Sequence, residues 1–285
     1  MLLGLSLCVA LAPPPGPQPV VDEQTGIQVG LPGKDVIWVP TPEAILDRML
    51  AMAQVTAKDV VVDLGAGDGR MVIAAARKHG ARGIGVELTP ALIAAGRKAA
   101  RRAGLKEGQV TMVQADLFTA DIREATVVML YLLPEMNRKL RAKLLGLRPG
   151  TRIVAHQFGI PEWEPDETSW VDRRAAHLWI VPAQVAGGWR ITLADGRALD
   201  VDLEQKNQTF RGRVHLSEGI RPEGPWLAVK AGLRATSLRG AAIRFEFVDA
   251  AGLLHAFSGV VDGETMAGEV VIGERRAAWS AARRR

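Results

Sequence analysis

The sequence predicts an α/β protein: a doubly wound, mostly parallel sheet followed by a small antiparallel β domain. Three observations predict it. Apolar strand-like runs alternate with helical patterns from Val60 to Val181, the signature of a parallel sheet covered on both faces. A glycine-rich turn, Gly65-Ala66-Gly67-Asp68-Gly69, links the first of those runs to a helix. Beyond Pro182 the helical periodicity stops, and short alternating runs are separated by Asp-Gly and Gly turns, the habit of hairpins. A chain of 285 residues is long for one core and comfortable for two. The expected division is an apolar segment and Pro-rich linker at 1–20, the parallel-sheet domain at 21–182 and a β-rich accessory domain at 183–285.

Residues 2–12, LLGLSLCVALA, are too few for a membrane-spanning helix of ~20 residues. They suit the apolar region of a secretory signal or a membrane tether, although no positive charge precedes them. Membrane association through this segment is therefore an expectation, with a cytoplasmic location as its counterpart. The proline-rich run 13–19 reads as an extended linker. Further on, in VIWVPTPEAILDRMLAMAQV, Thr41 is placed to cap a helix whose first position is Pro42. Ile45, Met49, Leu50 and Met52 give that helix its apolar face. Strands are then expected at Val60–Leu64, Gly83–Glu87, Val110–Val113, Thr126–Tyr131, Thr151–His156 and His177–Val181. Helices fall between them at Arg70–His79, Pro90–Ala103 and Glu135–Leu145. In the last hundred residues Asp195-Gly196 and Asp262-Gly263 are the strongest turn signals.

Composition narrows the function classes. The 48% hydrophobic and 24% charged fractions are those of an ordinary globular chain. The net charge of +5 owes part of its surplus to Arg275, Arg276 and Arg283–Arg285, read as a solvated, frayed terminus, so a nucleic-acid partner is not indicated. Basic residues at Arg97, Lys98, Arg101, Arg102 and 138–143 read as solvated helix faces. One cysteine, Cys8, excludes a disulfide framework and a Cys-based zinc site and leaves the body of the chain without a thiol nucleophile. The five histidines show no metal-ligand spacing, and no metal site is expected.

The turn 65–69 lets a ligand approach the backbone, but its third glycine comes one residue earlier than in the dinucleotide pattern G-x-G-x-x-G. The acids around it discriminate further. Asp63 ends the first strand, Asp68 sits in the turn, Glu87 ends the second strand and Asp116 follows the third. Two like charges ~5 Å apart repel by roughly 3 kcal/mol at an effective dielectric near 20. A pyrophosphate is thus disfavoured at the turn, and a cofactor carrying a sulfonium and an ammonium is favoured. S-adenosyl-L-methionine is such a cofactor.

VVDLGAGDGR, GVEL and VQADLF together resemble the three cofactor motifs of class I S-adenosylmethionine-dependent methyltransferases, over roughly residues 36–182. The resemblance implies a Rossmann-like sheet. It implies that Asp63 and Gly65, Ala66, Gly67, Asp68 and Gly69 face the methionine part, that Glu87 takes the ribose hydroxyls, and that Asp116 and Leu117 sit at the adenine. Thr41, just ahead, joins these cofactor-binding candidates. VPTPEAILDRML, DGRMVIAAARKHGARGIGVEL, LYLLPEMNRKLRAKL and GTRIVAHQFGIPEWEPD are similar to bacterial relatives of the mitochondrial protein-lysine methyltransferases that act on the ATP synthase c-subunit and the adenine nucleotide translocase. The β-rich C-terminal segment lies outside that pattern.

The fourth strand ends in Tyr131-Leu132-Leu133-Pro134, which lacks the Asn or Asp with which amide and adenine N-methylating relatives grip a planar amine. An aliphatic amine suits it better, bordered by Tyr131, with His156 at the end of the fifth strand as a second catalytic candidate. Trp163 and Trp170, with Glu162, Glu164, Asp166 and Glu167, form either an acidic lid or a solvated loop. The expected acceptor is a protein lysine; a small-molecule acceptor and a non-catalytic cofactor- or partner-binding module remain as alternatives, and the oligomeric state is open.

Overall fold

The computed structural model describes residues 20–23, 25–30, 37–216, 230–249 and 251–284. The apolar segment 2–12, the linker 13–19 and Cys8 lie outside the described residues. The first sheet comprises β1 (Val60–Leu64), β2 (Arg82–Glu87), β3 (Val110–Gln114), β4 (Val127–Leu130), β5 (Arg152–His156), β6 (Glu167–Val171) and β7 (Arg174–Ile180). Their spatial order is β3-β2-β1-β4-β5-β7-β6. The first five strands run parallel, whereas β7 is antiparallel to β5 and β6 to β7. Helices α1 (Glu43–Met52), α2 (Arg70–His79), α3 (Pro90–Arg102) and α4 (Pro134–Leu145) cover both faces. Ile45, Met49, Val72 and Ala75 meet Val61, Met129 and Val154 on one face. Leu140 and Leu144 meet Val62, Leu130 and Ile153 on the other. Burial on both sides is why these strands are almost uninterruptedly apolar.

Two local expectations change. Pro42 is the N-cap of α1 rather than its first residue, and the Thr41 hydroxyl caps nothing there: it turns to His156, 3.4 Å away. Strand β6, ETSWV, is absent from the expected elements. As an edge strand it buries little, so its polar residues carry no core-facing alternation.

Strands β8 (Gly187–Leu193), β9 (Ala198–Lys206), β10 (Thr209–Leu216), β11 (Lys230–Gly232), β12 (Arg234–Arg239), β13 (Ala242–Val248), β14 (Leu254–Asp262), β15 (Thr265–Ile272) and β16 (Arg275–Arg283) build the second sheet. Its order is β11-β10-β9-β8-β16-β15-β14-β13-β12, antiparallel at every pairing. Asp195-Gly196 turns β8 into β9, and Gly263 turns β14 into β15, with φ +84 at Gly196 and +56 at Gly263. The core stacks Phe245 on Phe257 at 4.8 Å, with Trp279 edge-on to both. The terminal arginines are not a frayed tail. Those at 275, 276, 283 and 284 lie on and just after β16, an inner strand, where Arg276 pairs with Glu269, Arg283 with Glu264, and Arg284 with Asp200 and Asp202. Acids on β15, in the turn before it and on β9 supply the partners that a one-dimensional reading could not place.

The two sheets touch at separate places. Ala183 donates to the Gly240 carbonyl at 2.8 Å, and a Cβ on Gly240 would stand 3.1 Å from the Gly150 Cα. At the β9–β10 turn, Asn207 Nδ2 and Gln208 Nε2 donate to the carbonyls of Glu162 and Glu164, each at 2.6 Å.

Candidate functional site

Between β1 and β4 the strand order reverses, and a crevice opens at the carboxyl ends of the strands, where such sheets bind ligands. Here the cleft is partly open to solvent. Its floor is Gly65, Ala66, Gly67 and Asp68, with Glu87 at one side and Leu117 beyond. Tyr131, Leu132 and Met136 form the wall after β4, and the run Ile37–Thr41 forms the opposite wall.

The glycines of the turn answer to contact as well as to backbone. Gly67 holds φ +56, and a Cβ there would lie 2.4 Å from Trp38 Nε1, so the indole rests directly on the turn. Trp38 is not singled out by the sequence, nor is Arg70, whose guanidinium stands 5.9 Å from the Trp38 ring. Arg70 binds Asp68 through both Nε and Nη2 at 2.8–3.1 Å and reaches Asp22 at 2.9 Å. Asp68 is therefore paired within the fold, which weakens its repulsion of an anion at the turn. Of the remaining acids Glu87 lines the cleft, and Asp63 is buried near it.

Glu87 is engaged with backbone. Its Oε2 accepts from Gly67 N at 2.9 Å, and its Oε1 accepts from Leu88 N and Thr89 N at 2.8 Å. It thus pins the turn to the end of β2. Asp63 is fully buried, and neither carboxylate oxygen has a hydrogen-bond partner. Burial first, then the charges of Glu87 and Asp68, push its carboxyl well above the usual range. A buried carboxyl without a donor is costly, and a cationic group in the adjoining cleft would favour its charged form. The donor set fits a ligand that brings positive charge to the turn.

Not every expected residue lines the cleft. Gly69 lies just behind the floor, with the Met112 side chain where a Cβ would go. Asp116 caps the following turn, its Oδ1 accepting from Phe118 N at 2.9 Å, while Leu117 faces the cleft. His156 is 1% exposed and stands behind the wall, its ring 3.9 Å from that of Tyr131. The structure sets it behind the cleft wall rather than on it, whereas Tyr131 lines the cleft. Burial, with a smaller effect from Arg174, lowers the imidazole to about 4, so it is neutral at pH 7.

Neither is there an acidic lid. Trp163 is buried in the core, Glu162 pairs with Arg141, and Glu167 pairs with Arg48 at 3.2 Å. The basic helix residues also knit the domain to itself: Arg97 donates to the Met112 carbonyl, and Lys143 to those of Leu117 and Phe118. Asn137, another residue without a sequence signal, is buried in α4. Its Nδ2 bridges the carbonyls of Leu132, Phe158 and Gly159 at 3.1–3.4 Å, tying the cleft wall to the turn after β5. Among the described residues no cluster of His, Cys, Asp and Glu could hold a metal ion, and no helix is long and apolar enough to cross a membrane.

Residues 63–167 match the family model described as the ANTKMT methyltransferase domain. A protein-lysine N-methyltransferase of Saccharolobus islandicus is 42% identical over 134 residues, which is 46% of this chain and 83% of that protein. The Mus musculus lysine N-methyltransferase of the ATP synthase c-subunit is 40% identical over 182 residues, 64% of this chain and 66% of the relative. Among solved structures, an RNA methyltransferase of Salinibacter ruber in complex with S-adenosyl-L-homocysteine is 50% identical, with a TM-score of 0.50 over 52% of this chain and 96% of that one.

Proposed function

The chain belongs to the ANTKMT methyltransferase family, and from that premise we propose that it moves a methyl group from S-adenosylmethionine to the side-chain amine of a lysine in a protein. The carrying observation is the cleft itself. One end carries Glu87, with the buried carboxyl of Asp63 close by, and the other is an apolar wall at Tyr131, Leu132 and Met136.

Bound there, S-adenosylmethionine supplies an electrophilic methyl on a sulfonium. The turn 65–69 offers backbone to the methionine part. Asp63, deprived of protein donors, attracts the cationic end. Glu87, already fixed at the end of β2, is positioned for the ribose, and Leu117 for the adenine. Thr41 and Trp38 close the side opposite β4. In-line methyl transfer disperses charge, so alignment and exclusion of water matter more than a strong acid or base. A lysine amine must arrive neutral. From a pKa of ~10.4 that costs about 4.6 kcal/mol at pH 7, which an apolar wall helps to offset by disfavouring the ammonium. Tyr131 borders that path. The wall carries no carboxamide or carboxylate to grip a planar amine, which favours lysine over a nucleobase. The β-rich residues 183–285 are read as an accessory domain on a catalytic domain at 21–182, and the apolar segment 2–12 as a signal or tether.

RNA is the second reading, favoured by the likeness to the RNA methyltransferase of Salinibacter ruber. Labelling cell extract with methyl-labelled S-adenosylmethionine separates the two. Label that survives ribonuclease and appears as methyl-lysine after acid hydrolysis is expected. Label lost to ribonuclease overturns the lysine assignment.

A further inference from the structure

His156 closes β5 with one cleft wall on either side of it. Its Nδ1 lies 3.4 Å from Thr41 Oγ1, and its ring meets that of Tyr131 at 3.9 Å and 35°. Thr41 ends the run Ile37-Trp38-Val39-Pro40-Thr41, each residue of which lines the cleft. The other hold on this strap lies at Trp38: its carbonyl accepts from Gly30 N at 2.9 Å, and its indole sits on Gly67. Tyr131 lines the cleft from the end of β4. The imidazole therefore contacts both walls without lining the cleft between them. A buried polar side chain is set in orientation by its partner, and here that partner belongs to the strap.

We propose that His156 is a positioning residue that locks the strap 37–41 to the acceptor wall at Tyr131, so that cofactor seating and acceptor-channel geometry are set together. The inference rests on this cleft being the methyl-transfer site and is independent of which amine accepts. A shift at Thr41 passes along the strap to Trp38 and so to the Gly67 turn. The same shift, through the imidazole, reaches Tyr131.

Tyr131 is the only tyrosine in the chain, so ring-labelled tyrosine gives a single nuclear magnetic resonance reporter in the full-length protein. Thr41→Val is expected to move the Tyr131 signal in the wild-type background and to leave it unmoved in a His156→Leu background. Calorimetry with S-adenosylmethionine should show affinity weakened about three- to ten-fold in either single variant, the loss of one hydrogen bond, with the double variant no worse than His156→Leu alone. His156→Asn, which keeps a hydrogen-bonding group near the Nδ1 position, should stay within about threefold of wild type. Equal Tyr131 shifts in both backgrounds, additive losses, or unchanged affinity in a folded His156→Leu protein would each overturn the proposal. If His156→Leu does not fold, the cycle is run with His156→Gln, which moves the polar group away from Thr41. Both readouts need cofactor but no acceptor. A wild-type protein that binds cofactor and labels no lysine would sink the acceptor assignment and leave this inference standing.

Discussion

Asparagine in place of Asp63 keeps the shape of the side chain and removes its charge. Asp63 is fully buried without a donor, beside the carboxylates of Glu87 and Asp68. The sign follows from linkage. A carboxyl whose folded pKa is raised holds its proton in the native state at pH values where the unfolded chain has released it. Stability therefore falls as pH rises from the unfolded value through the raised one. Near pH 4 the protonated acid and the amide are close equivalents, and the variant should match wild type within about 0.5 kcal/mol. Toward pH 8 the amide escapes the ionisation penalty, and the variant should be the more stable by about 1–3 kcal/mol, the range for an unsatisfied buried polar group. At 2–4 °C per kcal/mol for a chain of this size, the melting temperature should rise by roughly 2–12 °C. Cofactor affinity should fall at the same time by about tenfold or more, because the attraction for a cation is gone. Thermal melts from pH 4 to 8 and calorimetry with S-adenosylmethionine test both halves. A variant less stable than wild type throughout, or one that binds cofactor equally well, would refute the reasoning.

Cofactor binding to the wild type should release a proton from Asp63, so affinity measured by calorimetry in buffers of different ionisation enthalpy should increase with pH. His156, lowered to about 4 by burial and Arg174, should cost the native state about 3 kcal/mol as pH falls from 6.5 to 4, since only the unfolded chain then takes up the proton; denaturant titrations should show that acid sensitivity reduced in His156→Asn. Gly67→Ala meets both a positive φ and the Trp38 indole and should weaken cofactor binding while costing about 1–3 kcal/mol of stability, read by calorimetry and urea unfolding. Asn207→Gly keeps the left-handed turn at φ +52 but removes the bond to Glu162; it should destabilise by about 1 kcal/mol, measured by urea unfolding, without changing cofactor affinity.

Much of the parallel sheet was legible because burial on both faces writes strands as apolar runs. Val60–Leu64 and Arg70–His79 fall where periodicity placed them. Edge strand β6 was not legible, since only one of its flanks is covered and its polar residues look like loop. The turn 65–69 and Glu87 were visible in spacing alone. Trp38, Arg70 and Asn137 were not, because their roles come from contacts that no local pattern encodes: an indole on a glycine, a guanidinium shared by Asp22 and Asp68, an amide bridging three carbonyls. His156 stood out by its strand-end position, yet strand ends specify height along the sheet rather than depth behind a wall. The terminal arginines misled for a related reason, since their partners lie up to 99 positions away in sequence.

The bonds from Asn207 and Gln208, together with the glycine-to-glycine approach of Gly240 and Gly150, act as two latches beyond opposite ends of β5. A single hinge would let the C-terminal sheet swing; two separated fastenings oppose it. The C-terminal sheet is thus held at a set bearing to the parallel sheet, and grafting it onto another enzyme would require the 162–164 loop to travel with it.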